Sequence, residues 1–339
     1  MDFIEEIRKA ALDNSNILDP DVQAHYRCRP SKKNENLAFA KKGRFCLAFL
    51  MTNHANTKKI CYRIWYLKNK DAEKVARHVA KKMKNLDFDF FVNYDYLPQA
   101  IKVNGQILPG IKMDWVEGET LDNYIINHPS HDEMLQLANK FLKMCKTMCD
   151  AGVSHGDLSC SNILITSSGD IKLVDYDSFY VPSLGGKFFQ TTCGQPAFQH
   201  PLRKDGLLMS SRDDYFSQQV IYLSLLGIAH DPFLIDKIDD NELLFNGLEL
   251  ANIDSFKRSV YERLSSMNDE IITLCLNELC NAISSPLSRV RSIVDFIKLS
   301  PTIKTVIKQM AGFCGACGHH FSNQTDLFCP DCGKKREAL

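Results

Sequence analysis

Two periodicities divide the chain. Residues 37–50, LAFAKKGRFCLAFL, carry two apolar runs about a turn near Gly43, and KKICYRIWYL (58–67) is dense in aromatic and β-branched positions. Both stretches predict strands. From 71 to 86 the spacing becomes helical, with Val75, Val79 and Met83 on one stripe. Two more strand-like runs, FVNYDYLPQAIKV and ILPGIKMDWV, are divided by Asn104-Gly105, a pair suited to a two-residue hairpin turn. Beyond Gly118 helices dominate. Residues 131–152 gather Met134, Leu137, Phe141, Leu142, Cys145 and Met148 on one face and stop at Gly152. Two short apolar segments, NILIT and IKLVDY, then bracket Ser168-Gly169, and 213–298 reads as helices with loops.

This pattern predicts an α+β chain of two lobes. A small β-rich lobe occupies 37–117 and a helical lobe 118–298. A helical extension, 1–36, precedes them, with Phe3, Ile4, Ile7 and Leu12 marking an amphipathic helix. A linker, 299–312, leads to a last unit at 313–339.

Charge narrows the function. Lys+Arg and Asp+Glu are equal at 41 each, so no global field favours nucleic acid or an anionic membrane. The acidic, interrupted N-terminus is not a signal peptide, and no apolar run reaches membrane-spanning length. The expectation is a soluble cytoplasmic protein.

Thirteen cysteines, an odd number with four in two tight pairs, argue for metal binding rather than a disulfide framework. Cys314-x2-Cys317 and Cys329-x2-Cys332 are separated by eleven residues, and a Gly follows each pair. Four thiolates so spaced predict a closed, tetrahedral Zn²⁺ ribbon, structural because no ligand position stays open. The segment is too short to bury a core of its own, so the metal would supply its folding energy. His319 and His320 are competing candidates that the symmetry of the two C-x-x-C-G knuckles makes bystanders, and partner docking is the expected use of the ribbon.

The richest stretch is HGDLSCSNILITSSGDIKLVDYDSF, residues 155–179. Asp157 lies on a loop after a long helix, Asn162 follows five residues later, and Asp175 ends an apolar strand. Phosphoryl transfer asks for such a set: one carboxylate to orient the acceptor hydroxyl, and oxygen ligands to hold Mg²⁺ against phosphates.

These residues resemble the catalytic loop and metal-binding segment of protein kinases, H-x-D-x-x-x-x-N followed by an Asp-led tripeptide. The resemblance implies Asp157 as catalytic base, Asn162 and Asp175 as Mg²⁺ ligands, and ATP as phosphate donor to Ser/Thr hydroxyls of protein. It also makes GIKMDWVEGETLDNYI the hinge, with Met113 as gatekeeper and Asp114 and Val116 facing adenine. Asp214, heading DDYFSQQVIYLSLL, and His155 become supports of the catalytic loop.

The departures are equally specific. The strand Lys of kinases is matched by Arg63, with Cys61 at the adenine-capping position of the same strand face. Glu73 is the only Glu available in the following helix, the glycine-rich loop shrinks to Gly43 among Lys41, Lys42 and Arg44, and GQPAFQHP lacks the usual Glu. His155-Gly156-Asp157 lacks the Arg that pairs with a loop phosphate, so control by loop phosphorylation is not expected. Asp175-Tyr176-Asp177 replaces Asp-Phe-Gly. The chain looks like bacterial protein-kinase-like proteins with this Arg and a C-terminal zinc ribbon. Some of those are similar to stress-response components with phosphatase and von Willebrand A partners. Two rivals stand beside a protein kinase: a pseudokinase scaffold that recruits partners, and a small-molecule kinase of the aminoglycoside or choline kind.

Overall fold

The computed structural model describes residues 2–297 except 44, 87, 128–129 and 191–193. Arg44, the 299–312 linker and the proposed zinc ligands Cys314, Cys317, Cys329 and Cys332 lie outside the described residues.

The chain opens with α1 (Phe3–Ala10), capped by the Asp2 carboxylate, and α2 (Pro20–His25), capped by Asp19. Three short strands follow, β1 (Tyr26–Cys28), β2 (Pro30–Ser31) and β3 (Asn34–Ala38), and then β4 (Lys41–Lys42), β5 (Cys46–Asn53) and β6 (Lys59–Trp65). After α3 (Lys70–Met83) come β7 (Tyr94–Val103) and β8 (Gln106–Asp114). The main sheet runs β1-β5-β6-β8-β7, with β4 paired to β5. Asn104 and Gly105 turn the β7–β8 hairpin at φ of 49° and 81°, the left-handed pair that matches strand twist.

The first 36 residues are therefore not a purely helical extension. Tyr26–Cys28 pairs antiparallel with Met51–Asn53 and covers an edge of the sheet, satisfying backbone groups that an open edge would leave bare. Alternation along β6 sends its residues to two different cores. Ile60, Tyr62 and Ile64 pack outward with Ile7, Ile17 and Val22 from the N-terminal segment. Trp65 and Cys61 face the opposite core, which includes Met113 and the expected α3 stripe, Val75, Val79 and Met83.

The second lobe begins with β9 (Glu119–Thr120) and α4 (Leu121–Ile126). The long α5 (His131–Asp150) starts at a capping box in which Ser130 and Glu133 satisfy each other's backbone amides. Next are β10 (Ile163–Ile165) and β11 (Ile171–Leu173), which form a small sheet with β9. The chain ends with α6 (Tyr215–His230), α7 (Ile253–Lys257), α8 (Tyr261–Ser265), α9 (Glu270–Ile283) and α10 (Ile293–Ile297). From Phe216 to Ala229 every residue of α6 is buried, and its polar Ser217, Gln218, Gln219 and Ser224 are each hydrogen-bonded. It anchors the loop that precedes β10. Among the described residues no helix is long and apolar enough to cross a membrane.

Candidate active site

The loop between α5 and β10 is held from below. Asp214, 1% exposed at the head of α6, accepts from the His155 amide at 2.5 Å and from the Gly156 amide at 2.8 Å. The His155 ring is fully buried, with Nε2 2.9 Å from the Val174 carbonyl. The Asn162 amide donates to the Asp157 carbonyl at 2.8 Å, closing residues 157–162 into a ring. Gly156 adopts φ +78°, and a β-carbon there would lie 2.1 Å from the Ser178 carbonyl oxygen. No other residue type fits that approach. The same steric fact excludes the Arg that kinases carry at this position.

Asp157 sits in a crowded, dry place. One of its carboxylate oxygens is buried without a hydrogen-bond partner among the described residues. A β-carbon on Gly194 would lie 2.4 Å from that oxygen, so the segment after residue 193 closes directly over the carboxylate. Burial pushes the Asp157 pKa up, and the Asp175 charge adds to this, while His155, Asn162 and Arg203 pull it down. Asp175 occupies the left-handed region at φ 65°, ψ 72°, a conformation costing a non-glycine residue about 1 kcal/mol.

Arg63 enters from the other lobe. The β6 side chain reaches the cleft, where Nη1 donates to Asp175 Oδ1 at 2.9 Å and Nη2 pairs with Asp177 Oδ2. Nε and Nη2 also lie 3.3 and 3.2 Å from Cys46 Sγ. The backbone of Arg63 is paired with Ala48 on one side and Ile111 on the other, which fixes its origin in mid-sheet. Burial would lower its pKa, but the two carboxylates and Cys46 hold the guanidinium well above its ordinary value. Asp177 keeps a side chain 44% exposed, yet desolvation by the surrounding protein and the Asp175 charge raise its pKa against the pull of Arg63.

Other expected residues fall around this junction with different outcomes. Cys61 and Met113 are cross-strand partners between β6 and β8. The thiol of Cys61 is pushed up to about 11 by burial. Asp114 donates its amide to the Asn93 carbonyl at 3.3 Å, and Val116 packs on the inter-lobe core. Gly43 closes a tight turn, with its amide on the Cys46 carbonyl at 2.8 Å and its own carbonyl accepting from the Tyr66 hydroxyl. Glu73 is not brought to Arg63. Its carboxylate lies 3.4 Å from the Tyr96 hydroxyl and 3.9 Å from Arg77, because its place near the start of α3 leaves it at the rim of the buried stripe.

The Protein kinase domain family matches residues 41–295. The chain belongs to the protein kinase family. Serine/threonine-protein kinase cds1 of Schizosaccharomyces pombe is 26% identical over 166 residues, covering 42% of this chain and 36% of that protein. CBL-interacting serine/threonine-protein kinase 8 of Arabidopsis thaliana is 25% identical over 201 residues, covering 56% of this chain and 44% of that protein. The chain thus spans less than half the length of these relatives. Among solved structures, the Cydia pomonella granulovirus kinase PK-1 superposes with a TM-score of 0.51 at 11% identity, covering 82% of this chain and 94% of that one. That likeness shows the kinase fold.

Reading the sequence as a kinase missed Arg203. It is 7% exposed and donates to Gly156 O at 3.0 Å, to Gln190 Oε1 at 3.0 Å and to Gln199 Oε1 at 2.6 Å. It also lies 3.8 Å from Asp213. This one guanidinium ties Gln190 and Gln199 to the loop bearing Asp157. The absent Glu in GQPAFQHP marked an altered closure, and the next charged residue, Arg203, was the available signal.

The residues present also fit a hard cation. The Asn162 nitrogen is committed to the Asp157 carbonyl, so its oxygen is the atom left for a ligand. Asp175 is half-exposed at the mouth of the cleft. An amide oxygen and a carboxylate of this kind suit Mg²⁺.

Proposed function

We propose that the chain is an ATP- and Mg²⁺-dependent phosphotransferase acting on Ser/Thr hydroxyls of protein. The observation that carries this reading is the meeting of Asp157, Asn162 and Asp175 with Arg63 across the two lobes. Asp157 orients the acceptor hydroxyl and takes its proton as the new bond forms. Arg63 offers phosphate oxygens a charge-assisted donor through Nη1, with Nη2 and Nε held by Asp177 and Cys46. Met113, Asp114 and Val116 line the adenine edge, with Cys61 as its roof and the Gly43 turn above the phosphates. Asn162 and Asp175 would hold Mg²⁺, which supplies neutralisation of phosphate charge when bound.

The kinase-like relatives support a protein acceptor over a metabolite. Cys314, Cys317, Cys329 and Cys332 are read as ligands of one structural Zn²⁺, and the ribbon as a docking module for a protein such as a phosphatase or a von Willebrand A protein. The resemblance to ribbon-bearing bacterial kinase-like proteins supports that assignment and a cytoplasmic setting.

Transfer of radiolabel from ATP to the chain itself or to a generic protein acceptor tests the activity. Wild type should label and bind ATP more tightly with Mg²⁺. Asp175→Asn should lose both the labelling and the Mg²⁺-dependent gain in affinity. Labelling that survives in Asp175→Asn, or a wild type without Mg²⁺-dependent ATP binding, contradicts the reading and favours a scaffold. Metal analysis should find one zinc per chain, lost in Cys329→Ser.

A further inference from the structure

We propose that Asp177 is the positioning residue that sets the Arg63 guanidinium toward the nucleotide, so that the site is assembled without a carboxylate from α3. The inference rests on the phosphotransferase reading and names a control element within it.

A guanidinium as buried as Arg63, 8% exposed, needs its charge balanced and its donors filled. Its five N–H groups form a rigid fork, so two acceptors at fixed positions define its direction. Asp175 takes Nη1 and Asp177 takes Nη2, with Cys46 Sγ behind them. Asp175 is also the carboxylate assigned to the cation. Once its oxygens turn to the metal, Asp177 is the charge that remains with Arg63.

The backbone explains why a residue two places on can reach the same arginine. The left-handed turn at Asp175 leads into a single 3-10 turn, Tyr176–Ser178, which brings both carboxylates to one side. Tyr176 locks that turn. Its hydroxyl donates to the Leu173 carbonyl and accepts from the Val92 amide at 3.1 Å, and its ring meets Phe91, Tyr94 and Phe179 edge-on. A glycine at 177 would leave Nη2 with the Cys46 thiol alone.

Glu73 is otherwise occupied with Tyr96 and Arg77, and none of the described bonds of Arg63 comes from α3. The orientation of Arg63 is therefore fixed by the loop that carries Asp175. Displacement of α3 does not switch it.

Melting of the full-length chain without nucleotide tests the pairing by double-mutant cycles. Arg63→Gln and Asp177→Asn should be strongly non-additive, whereas Arg63→Gln and Glu73→Gln should add. In steady-state kinetics Asp177→Asn should raise KM for ATP by roughly tenfold, the scale of one charge-assisted hydrogen bond. Asp177→Glu should recover part of that loss, and Glu73→Gln should leave KM and kcat at wild-type values. Additive melting shifts for Arg63 and Asp177 with transfer intact overturn the proposal and leave the phosphotransferase reading standing. Coupling without any transfer in wild type overturns that reading and leaves the pair. Loss of function in Glu73→Gln equal to that in Asp177→Asn overturns the independence from α3.

Discussion

At Gly156 the absence of a β-carbon decides the local architecture. The Ser178 carbonyl oxygen occupies the place a side chain would need, 2.1 Å from an ideal β-carbon, and φ is +78°. Gly156→Ala should destabilise the chain by about 3 kcal/mol or more in urea unfolding, from positive-φ strain together with the clash. Wild-type stability in that variant would contradict the described turn. Asp157 makes a different prediction. Its pKa is raised, chiefly by burial, above the ordinary aspartate value of 3.8. A carboxyl of that kind favours the fold when protonated. Its contribution is complete below 3.8 and is lost as pH rises through the folded value. Asp157→Asn should therefore raise Tm near neutral pH, with the advantage shrinking as pH falls toward that value. A lower Tm at neutral pH would contradict it. The Asp157, Asn162 and Asp175 set was legible in the sequence because its members are close in the chain and obey a fixed spacing. Arg63 was legible through strand alternation. The contact of Asp177 with Arg63 and the turning of Glu73 to Tyr96 were not, because they depend on a left-handed turn at Asp175 and on which way a helix rim points.

At the scale of elements, the strands from 41 to 114 and the helices α3 and α5 were read within a few residues, since their periodicities are long and their ends carry caps. The strand Tyr26–Cys28 was missed. Three residues are too few to show alternation, and only pairing with β5 makes them a strand. Arg203 was missed for a related reason, because its partners Gly156, Gln190 and Gln199 are 47, 13 and 4 residues away. Removing it would leave buried acceptors and the Asp213 charge unanswered. Arg203→Ala should cost about 3 kcal/mol or more in chemical unfolding and should speed proteolytic cutting within 187–209. A surface-like loss below about 0.5 kcal/mol would show that Arg203 is not a clamp. A built-in cation thus joins Gln190 and Gln199 to the loop that bears Asp157.

Across the whole molecule, one sheet serves two cores. Its inner face joins the lobes around the cleft, and its outer face is sealed by the first 25 residues, where Ile7, Ile17 and Val22 are fully buried. Each such side chain contributes about 1.5–3 kcal/mol, and the three together rival the net stability of a domain. Deleting residues 2–25 should thus yield an aggregated or unfolded chain by circular dichroism and size exclusion. A soluble, cooperatively melting product would contradict that role. On the proposed reading, this fold, so sealed, transfers phosphate with Asp157 as the group that handles the acceptor proton. Single-turnover transfer of the ATP γ-phosphate by Asp157→Asn, at saturating nucleotide and Mg²⁺, tests it most directly. Nucleotide binding should stay close to wild type while transfer falls by at least roughly a hundredfold, the lower range of acid–base assistance. Transfer at the wild-type rate in a variant that binds ATP normally would contradict it.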